Sequence, residues 1–177
     1  NISAGKNLVG SFWSPRGVLC DIDTLRSLPL TELLAGMAEV VKVGFTSDAS
    51  ILDDVESDVD TATDPASDVL PDLIARAIRV KATVVSEDFR ETSATSGDGR
   101  IGREVLNYGH TFGHAVERRE QFQWRHGAAV GVGMMYEAQL AHLGGRLSHA
   151  EVERHRSILE SLGLPTTYAP GHWSELL

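Results

Sequence analysis

Three histidines carry the first chemical suggestion. His110 and His114 stand four apart in Asn107–Tyr108–Gly109–His110–Thr111–Phe112–Gly113–His114, and His126 follows in Trp124–Arg125–His126–Gly127. Residues four apart share one face of a helix. His126 opens the next helical pattern, so a tight reversal between the two helices would bring it to the same place. Imidazole offers a lone pair near neutral pH without first losing a charge, and zinc takes histidine nitrogen and carboxylate oxygen. The spacing matches part of the zincin pattern, but Thr111 follows His110, so the general-base glutamate of that motif is absent. A carboxylate would complete the set. Glu39 sits on an otherwise apolar helical face and needs a metal, a cation or a hydrogen-bond donor there. Lys42, three residues on, is one such partner. Glu117, three beyond His114, is the other candidate ligand. The competing reading is a pair of ordinary helix histidines satisfied by neighbouring groups.

The cations form a second group. Lys6, Lys42, Lys81 and Arg103 each lie in or beside apolar segments, whereas Arg118, Arg119 and Arg125 cluster outward. Lys and Arg gathered around a metal would suit a substrate bearing carboxylate and phosphate. Taken singly, each is an ordinary surface charge with its stem on the core. Asn7 and Asn107 add neutral donors, although Asn107 also serves as a helix N-cap. His142, His149, His155 and His172 have no partner in the sequence and read as surface residues.

The elements that must position these groups read as mostly helical. Gly17–Val18–Leu19–Cys20–Asp21–Ile22 is a short apolar run and the one candidate for a buried strand, with Cys20 inside it. Thr31 then caps a helix to about 44, with Leu33, Leu34, Met37, Val40 and Val41 at helical spacing. Between Asp48 and Asp72 there are nine acidic residues and no Lys or Arg; Ile51, Leu52 and Val55 fit one helical turn, and Asp58 to Asp68, with little to bury, reads as a solvated linker. A second helix covers 69–85. Ser93 to Arg100 is small, polar and glycine-broken, which predicts a mobile loop. Helical periodicity resumes over 102–119, then over 126–143, and Ser148 caps a last long helix ending at Gly163.

Composition narrows the classes. The 177 residues hold 16 Lys plus Arg against 25 Asp plus Glu, a formal charge of −9, with 42% hydrophobic residues. This balance argues against nucleic acid or an anionic membrane surface as partner, and leaves a small anionic substrate open. No apolar run reaches the roughly 18 residues needed to cross a bilayer. The single cysteine, Cys20, forms no internal disulfide, so a cytoplasmic setting is expected. The start at Asn1 and the stop at Leu177 both look cut.

The long histidine segment, Leu106 to Glu117, closely resembles the signature of the 3-dehydroquinate synthase family. The resemblance extends to Gly5–Lys6–Asn7–Leu8–Val9–Gly10, to Ala35–Gly36–Met37–Ala38–Glu39–Val40–Val41–Lys42, and to Val80–Lys81–Ala82. It continues through Trp124–Arg125–His126–Gly127 and Gly163–Leu164–Pro165 and covers essentially the whole chain. The form of the 117–130 segment looks like enzymes of high-GC Gram-positive bacteria. The resemblance implies two domains. Residues 1–22 would be a strand and loop remnant of a Rossmann-like NAD-binding domain, and 23–177 a mainly α metal- and substrate-binding domain lacking its end.

It further implies that Glu39, His110 and His126 hold zinc, with cobalt as a substitute. His114 would instead face the substrate phosphate with Asn107, while Lys81 and Arg103 would face its carboxylate. Lys42, Lys6 and Asn7 match substrate-contacting positions, and Lys6 and Asn7 would also lie against NAD. The implied activity converts a seven-carbon keto-acid phosphate to 3-dehydroquinate and phosphate in a homodimer. The family's glycine-rich nucleotide stretch and a late lysine segment are not among these residues, so the fragment is expected to be inactive alone. Ser93–Arg100 looks like an insertion. The alternatives are another sugar-phosphate cyclase, or a helical domain kept for assembly without chemistry.

Overall fold

The computed structural model describes residues 9–11, 13–87 and 102–176. After a 3₁₀ segment at Ile22–Ser27 the chain forms α1 (Leu30–Thr46), α2 (Ser50–Ser57), α3 (Val59–Ala62) and α4 (Val69–Glu87). A second 3₁₀ segment, Arg103–Asn107, leads into α5 (His110–Arg119), α6 (His126–Leu143), α7 (His149–Ser161) and α8 (Trp173–Leu176). The body is mainly α, as expected. Lys6, Asn7 and the Ser93–Arg100 loop lie outside the described residues.

The expected strand does not form, and among the described residues there is no strand at all. Val18 is 82% exposed and Leu19 fully so, Cys20 is exposed instead of buried, and Ile22 opens the first 3₁₀ segment. An apolar run becomes a strand only when a neighbouring strand takes up its N–H and C=O groups, and none of the described segments does so. The strand-and-loop remnant is therefore withdrawn.

The acidic stretch is a second correction. The turn expected at Ile51, Leu52 and Val55 is present as α2, which buries all three, but the segment from Asp58, expected as a linker, forms α3 and buries Ala62. The acids of the stretch are used as caps and ion-pair partners. Asp58 accepts from the Thr61 N–H at 3.0 Å, and Asp64 accepts from Ala66 N–H at 2.8 Å. Arg154 of α7 reaches Asp53 at 2.6 Å and Glu56 at 2.7 Å, and Arg76 of α4 pairs with Asp54 and Asp72. The basic partners lie far along the chain, which is why the run reads locally as unpaired.

Helix ends differ in smaller ways. Pro29 is the cap position of α1, with its carbonyl accepting from Glu32 at 2.9 Å, so Thr31 lies inside the helix. Proline fixes φ near its helical value and forces the preceding Leu28 to be extended, so the chain turns directly after it. The 102–119 pattern is split at Tyr108–Gly109, and Gly109, not Asn107, is the N-cap of α5. Ser148 does cap α7, in a reciprocal box with Glu151.

α6 is the central helix and is buried on nearly all sides, with Val130, Met134 and Ala138 inaccessible, packing against α1, α5 and α7. Its glycines set how close those neighbours come. A methyl group on Gly133 would land on the Gly109 carbonyl oxygen, and one on Gly127 would land on the Ala35 carbonyl of α1. Gly109 itself has φ +76°, a left-handed conformation that glycine adopts without penalty.

These contacts predict opposite outcomes for two glycines. Gly133→Ala should destabilise the chain by about 3 kcal/mol, because the obstacle is backbone rather than a movable side chain. Gly36→Ala, at an exposed position of α1 with open space around it, should stabilise by about 0.5–1 kcal/mol. Thermal unfolding checks both, since each kcal/mol is worth about 2–4 °C at this size.

Candidate functional site

Three elements converge on one point. The middle of α1 supplies Glu39 and Lys42, while His110 and His126 are the first residues of α5 and α6. The Gly127–Ala35 approach brings the start of α6 onto α1, and the Gly133–Gly109 approach brings the start of α5 beside it. Glu39 Oε1 then lies 3.3 Å from His110 Nε2 and 3.3 Å from His126 Nε2.

The other ring nitrogens fix what those contacts are. His110 Nδ1 is 3.1 Å from the Tyr108 carbonyl, an acceptor only, so this nitrogen carries the proton. His126 Nδ1 is 3.1 Å from Glu117 Oε1, and a carboxylate likewise demands a donor. With Nδ1 protonated, each ring in its neutral form turns an Nε2 lone pair towards a carboxylate oxygen. Glu39 Oε1 is buried and has no hydrogen-bond partner. Lone pairs brought together in this way call for a cation between them. A tetrahedral ion with bonds of about 2.0–2.1 Å spaces its ligand atoms about 3.3–3.4 Å apart. The two 3.3 Å separations equal that edge, and all three ligand atoms lie within 4.8 Å of one another. The donor set therefore fits a divalent metal of the zinc type.

Burial works against the charge on Glu39. When Nε2 of His110 and of His126 carries a proton it donates to Glu39, and with the Lys42 ammonium these contacts outweigh burial and hold the carboxyl well below the usual range. Lys42 is buried, and its Nζ donates to Glu39 Oε2 at 2.7 Å and to the Leu106 carbonyl at 2.7 Å. The ion pair expected for Lys42 and a place beside the candidate ligands are thus both present.

Glu117 is 4% exposed and faces the opposite side of His126 from Glu39. It holds the ring by Nδ1, an arrangement that fixes the tautomer of a metal-binding histidine. His114 is half exposed, its Nε2 3.9 Å from Glu117 Oε2 and its ring 5.9 Å from that of His126. His114, Glu117 and His126 also form a cluster of metal-ligating types, using the Nδ1 side of His126.

A cleft of about 620 Å³ opens over Glu39, His110 and His126. Lys42, Lys81, Arg103 and Asn107 line it, so four of the expected substrate residues share one concavity with the three expected ligands. Ile74, Ala77 and Ile78 of α4 form an apolar wall. His114 is not among the lining residues. A separate apolar cavity of about 400 Å³, bounded by Phe112, Tyr136 and Trp173, lies on the α8 side.

Sequence reasoning missed three groups around the site. Glu137 of α6 interacts with the Gly109 N–H, the Tyr108 hydroxyl lies 3.1 Å from His155 Nε2, and His155 is 8% exposed. The surface assignment of His155 is therefore wrong: it stacks on Phe45 at 3.8 Å inside the bundle. The approach of α7 to α1 hides it, and a single sequence carries no signal of that packing.

Comparison with known proteins identifies the family. Residues 36–177 match the family profile described as 3-dehydroquinate synthase C-terminal, and residues 1–35 the one described as 3-dehydroquinate synthase N-terminal. The 3-dehydroquinate synthase of Paenarthrobacter aurescens is 56% identical over 177 residues, all of this chain and 47% of that protein. That of Nocardia farcinica is 54% identical over 177 residues, again all of this chain and 45% of the relative. The chain thus spans about half the length of the curated relatives it matches, and those relatives come from high-GC Actinobacteria. Among solved structures, a 2-deoxy-scyllo-inosose synthase complexed with carbaglucose-6-phosphate, NAD+ and Co2+ superposes with TM-score 0.74 at 31% identity, over 99% of this chain and 46% of that one. A 2-epi-5-epi-valiolone synthase from Streptomyces hygroscopicus shares the fold, with TM-score 0.77 at 24% identity over 88% of this chain and 42% of its own. The match over residues 36–177, on the segments that build the cleft, establishes that the chain belongs to the 3-dehydroquinate synthase family.

Proposed function

We propose that this chain is the metal- and substrate-binding part of a 3-dehydroquinate synthase, a carbon–oxygen lyase acting on 3-deoxy-D-arabino-heptulosonate 7-phosphate in the cytoplasm, in a homodimeric enzyme. The observation that carries this reading is the single cleft shared by Glu39, His110, His126, Lys42, Lys81, Arg103 and Asn107. In the proposed reaction a ring hydroxyl is transiently oxidised, phosphate is eliminated, the hydroxyl is restored, and the opened ring closes by an intramolecular aldol step. Zinc, or cobalt in its place, supplies polarisation of the substrate hydroxyl oxygens, and NAD supplies the hydride chemistry that no side chain can perform.

Glu39, His110 and His126 are the metal ligands in this reading. Glu117 positions His126. Lys42 uses two of its three N–H donors on Glu39 and Leu106, leaving one for a substrate oxygen. Lys81 and Arg103 bind the substrate carboxylate, and Asn107 and His114 bind the phosphate. Lys6 and Asn7 are proposed to meet both substrate and NAD. α5 and α6 start at the metal ligands, and their N-terminal dipoles favour an anion there. Residues 1–22 are proposed as the connection to the NAD-binding domain. The fold match to a 2-deoxy-scyllo-inosose synthase complexed with carbaglucose-6-phosphate keeps a second substrate class in view, and Lys81 and Arg103 in one cleft favour a carboxylate-bearing substrate.

Glu39→Ala, His110→Ala and His126→Ala should each abolish binding of one zinc per chain, measured by elemental analysis after dialysis, whereas His114→Ala should retain it. Full retention in His110→Ala, or loss in His114→Ala, would reject this ligand set. In the full-length enzyme, Lys81→Ala or Arg103→Ala should weaken substrate binding by about 10- to 100-fold, the loss of a charge-assisted contact. Turnover of a hexose phosphate instead of the seven-carbon substrate would support the other cyclase class.

The 177 residues assayed by themselves, with zinc and NAD added, should release no measurable phosphate. Hydride transfer needs the reacting atoms held at about 3–3.5 Å, and none of these side chains accepts a hydride. Phosphate release abolished by His110→Ala would overturn that expectation.

A further inference from the structure

His110 is oriented by a single peptide plane. Tyr108 has φ −53°, ψ 125° and Gly109 has φ 76°, ψ −12°, the two central residues of a type II turn. The Tyr108 carbonyl in the middle of that turn accepts from His110 Nδ1 at 3.1 Å. A type II turn differs from type I chiefly by rotation of this peptide. Rotated, the same carbonyl would point away from His110, and the ring would lose the acceptor that keeps its proton on Nδ1 and its Nε2 bare.

Buried groups hold the plane from both ends. The Glu137 carboxylate of α6 interacts with the N–H of the same peptide, that of Gly109. The side chain of Tyr108 is held through its hydroxyl by His155 of α7. His155 Nδ1 lies 2.7 Å from the Glu151 carbonyl and must carry the proton. Its Nε2 is then an acceptor for the Tyr108 hydroxyl at 3.1 Å, with the Met134 carbonyl a longer contact at 3.4 Å. Stacking on Phe45 of α1 at 3.8 Å fixes the ring of His155.

We propose that Glu137, Tyr108 and His155 are positioning residues that hold the Tyr108–Gly109 peptide in its type II orientation and so set the tautomer and direction of His110. The proposal rests on the reading of His110 as a metal ligand, but its geometry exists without the metal.

Two readouts test it on the 177-residue chain. The first is the nitrogen chemical shifts of His110 in metal-free protein. The unaltered chain should show one tautomer with the proton on Nδ1, and Glu137→Leu and Tyr108→Phe should show a mixture. His155→Leu should shift it less, since the hydroxyl keeps Met134. The second is Co2+ affinity by chelator competition, with the visible spectrum recorded. Glu137→Leu and Tyr108→Phe should weaken it by about 10- to 100-fold and alter the spectrum, as loss of an orienting partner does. Glu137→Gln retains an acceptor and should restore both readouts. An unchanged His110 tautomer in Glu137→Leu and Tyr108→Phe would overturn the proposal. So would a loss of affinity that follows only the loss of folded protein by circular dichroism, with Glu137→Gln as weak as Glu137→Leu. Failure of the unaltered chain to bind Co2+ would reject the metal reading alone, and the metal-free shifts would still decide this one.

Discussion

Gly133 and Gly127 let α6 run directly against main chain on two sides, against Gly109 at the entry to α5 and against Ala35 in α1. Interiors are close-packed, so an extra carbon at either point must move a helix. The crossing geometry at these two contacts sets the distance between the start of α5, the start of α6 and the middle of α1. Those are the three places from which Glu39, His110 and His126 come. The chemistry of the cleft is thus determined by the absence of side chains some distance behind it.

Around that framework the polar groups are arranged in series. Lys42 and Glu117 each take one side of a proposed ligand and leave the other side to the cleft. The same pattern repeats one layer further out, where Glu137 and His155 brace the turn that faces His110. A buried polar group costs stability unless it is hydrogen-bonded, and here the partners that satisfy it also orient it. Burial raises the carboxyl of Glu137, and burial with the nearby charge of Glu137 raises the Tyr108 phenol, so both groups belong to the interior of the bundle.

The helices over 69–87 and 126–143 and the Ser148 cap were legible because their signals are local: apolar spacing, a capping side chain and a glycine stop. The proposed ligand set came only from the family resemblance, since spacing alone equally offers His110 with His114. Long-range partnerships were not legible. Nothing within Asp48–Asp72 announces Arg76 or Arg154, and nothing near His155 announces Phe45 or Tyr108. The failed strand at 17–22 is the converse case, a convincing local pattern whose partner is not among the described segments.

Glu39, His110 and His126 are widely spaced along the chain, with 70 residues between the first two and 15 between the last two. An ion held by all three would act as a removable crosslink, closing one long loop and one short loop at a single atom. Cross-links of that kind act largely on the unfolded ensemble, whose freedom falls as loops close. Because the unfolded chain presents no such site, metal concentration would then govern the folding equilibrium as well as the chemistry of the cleft.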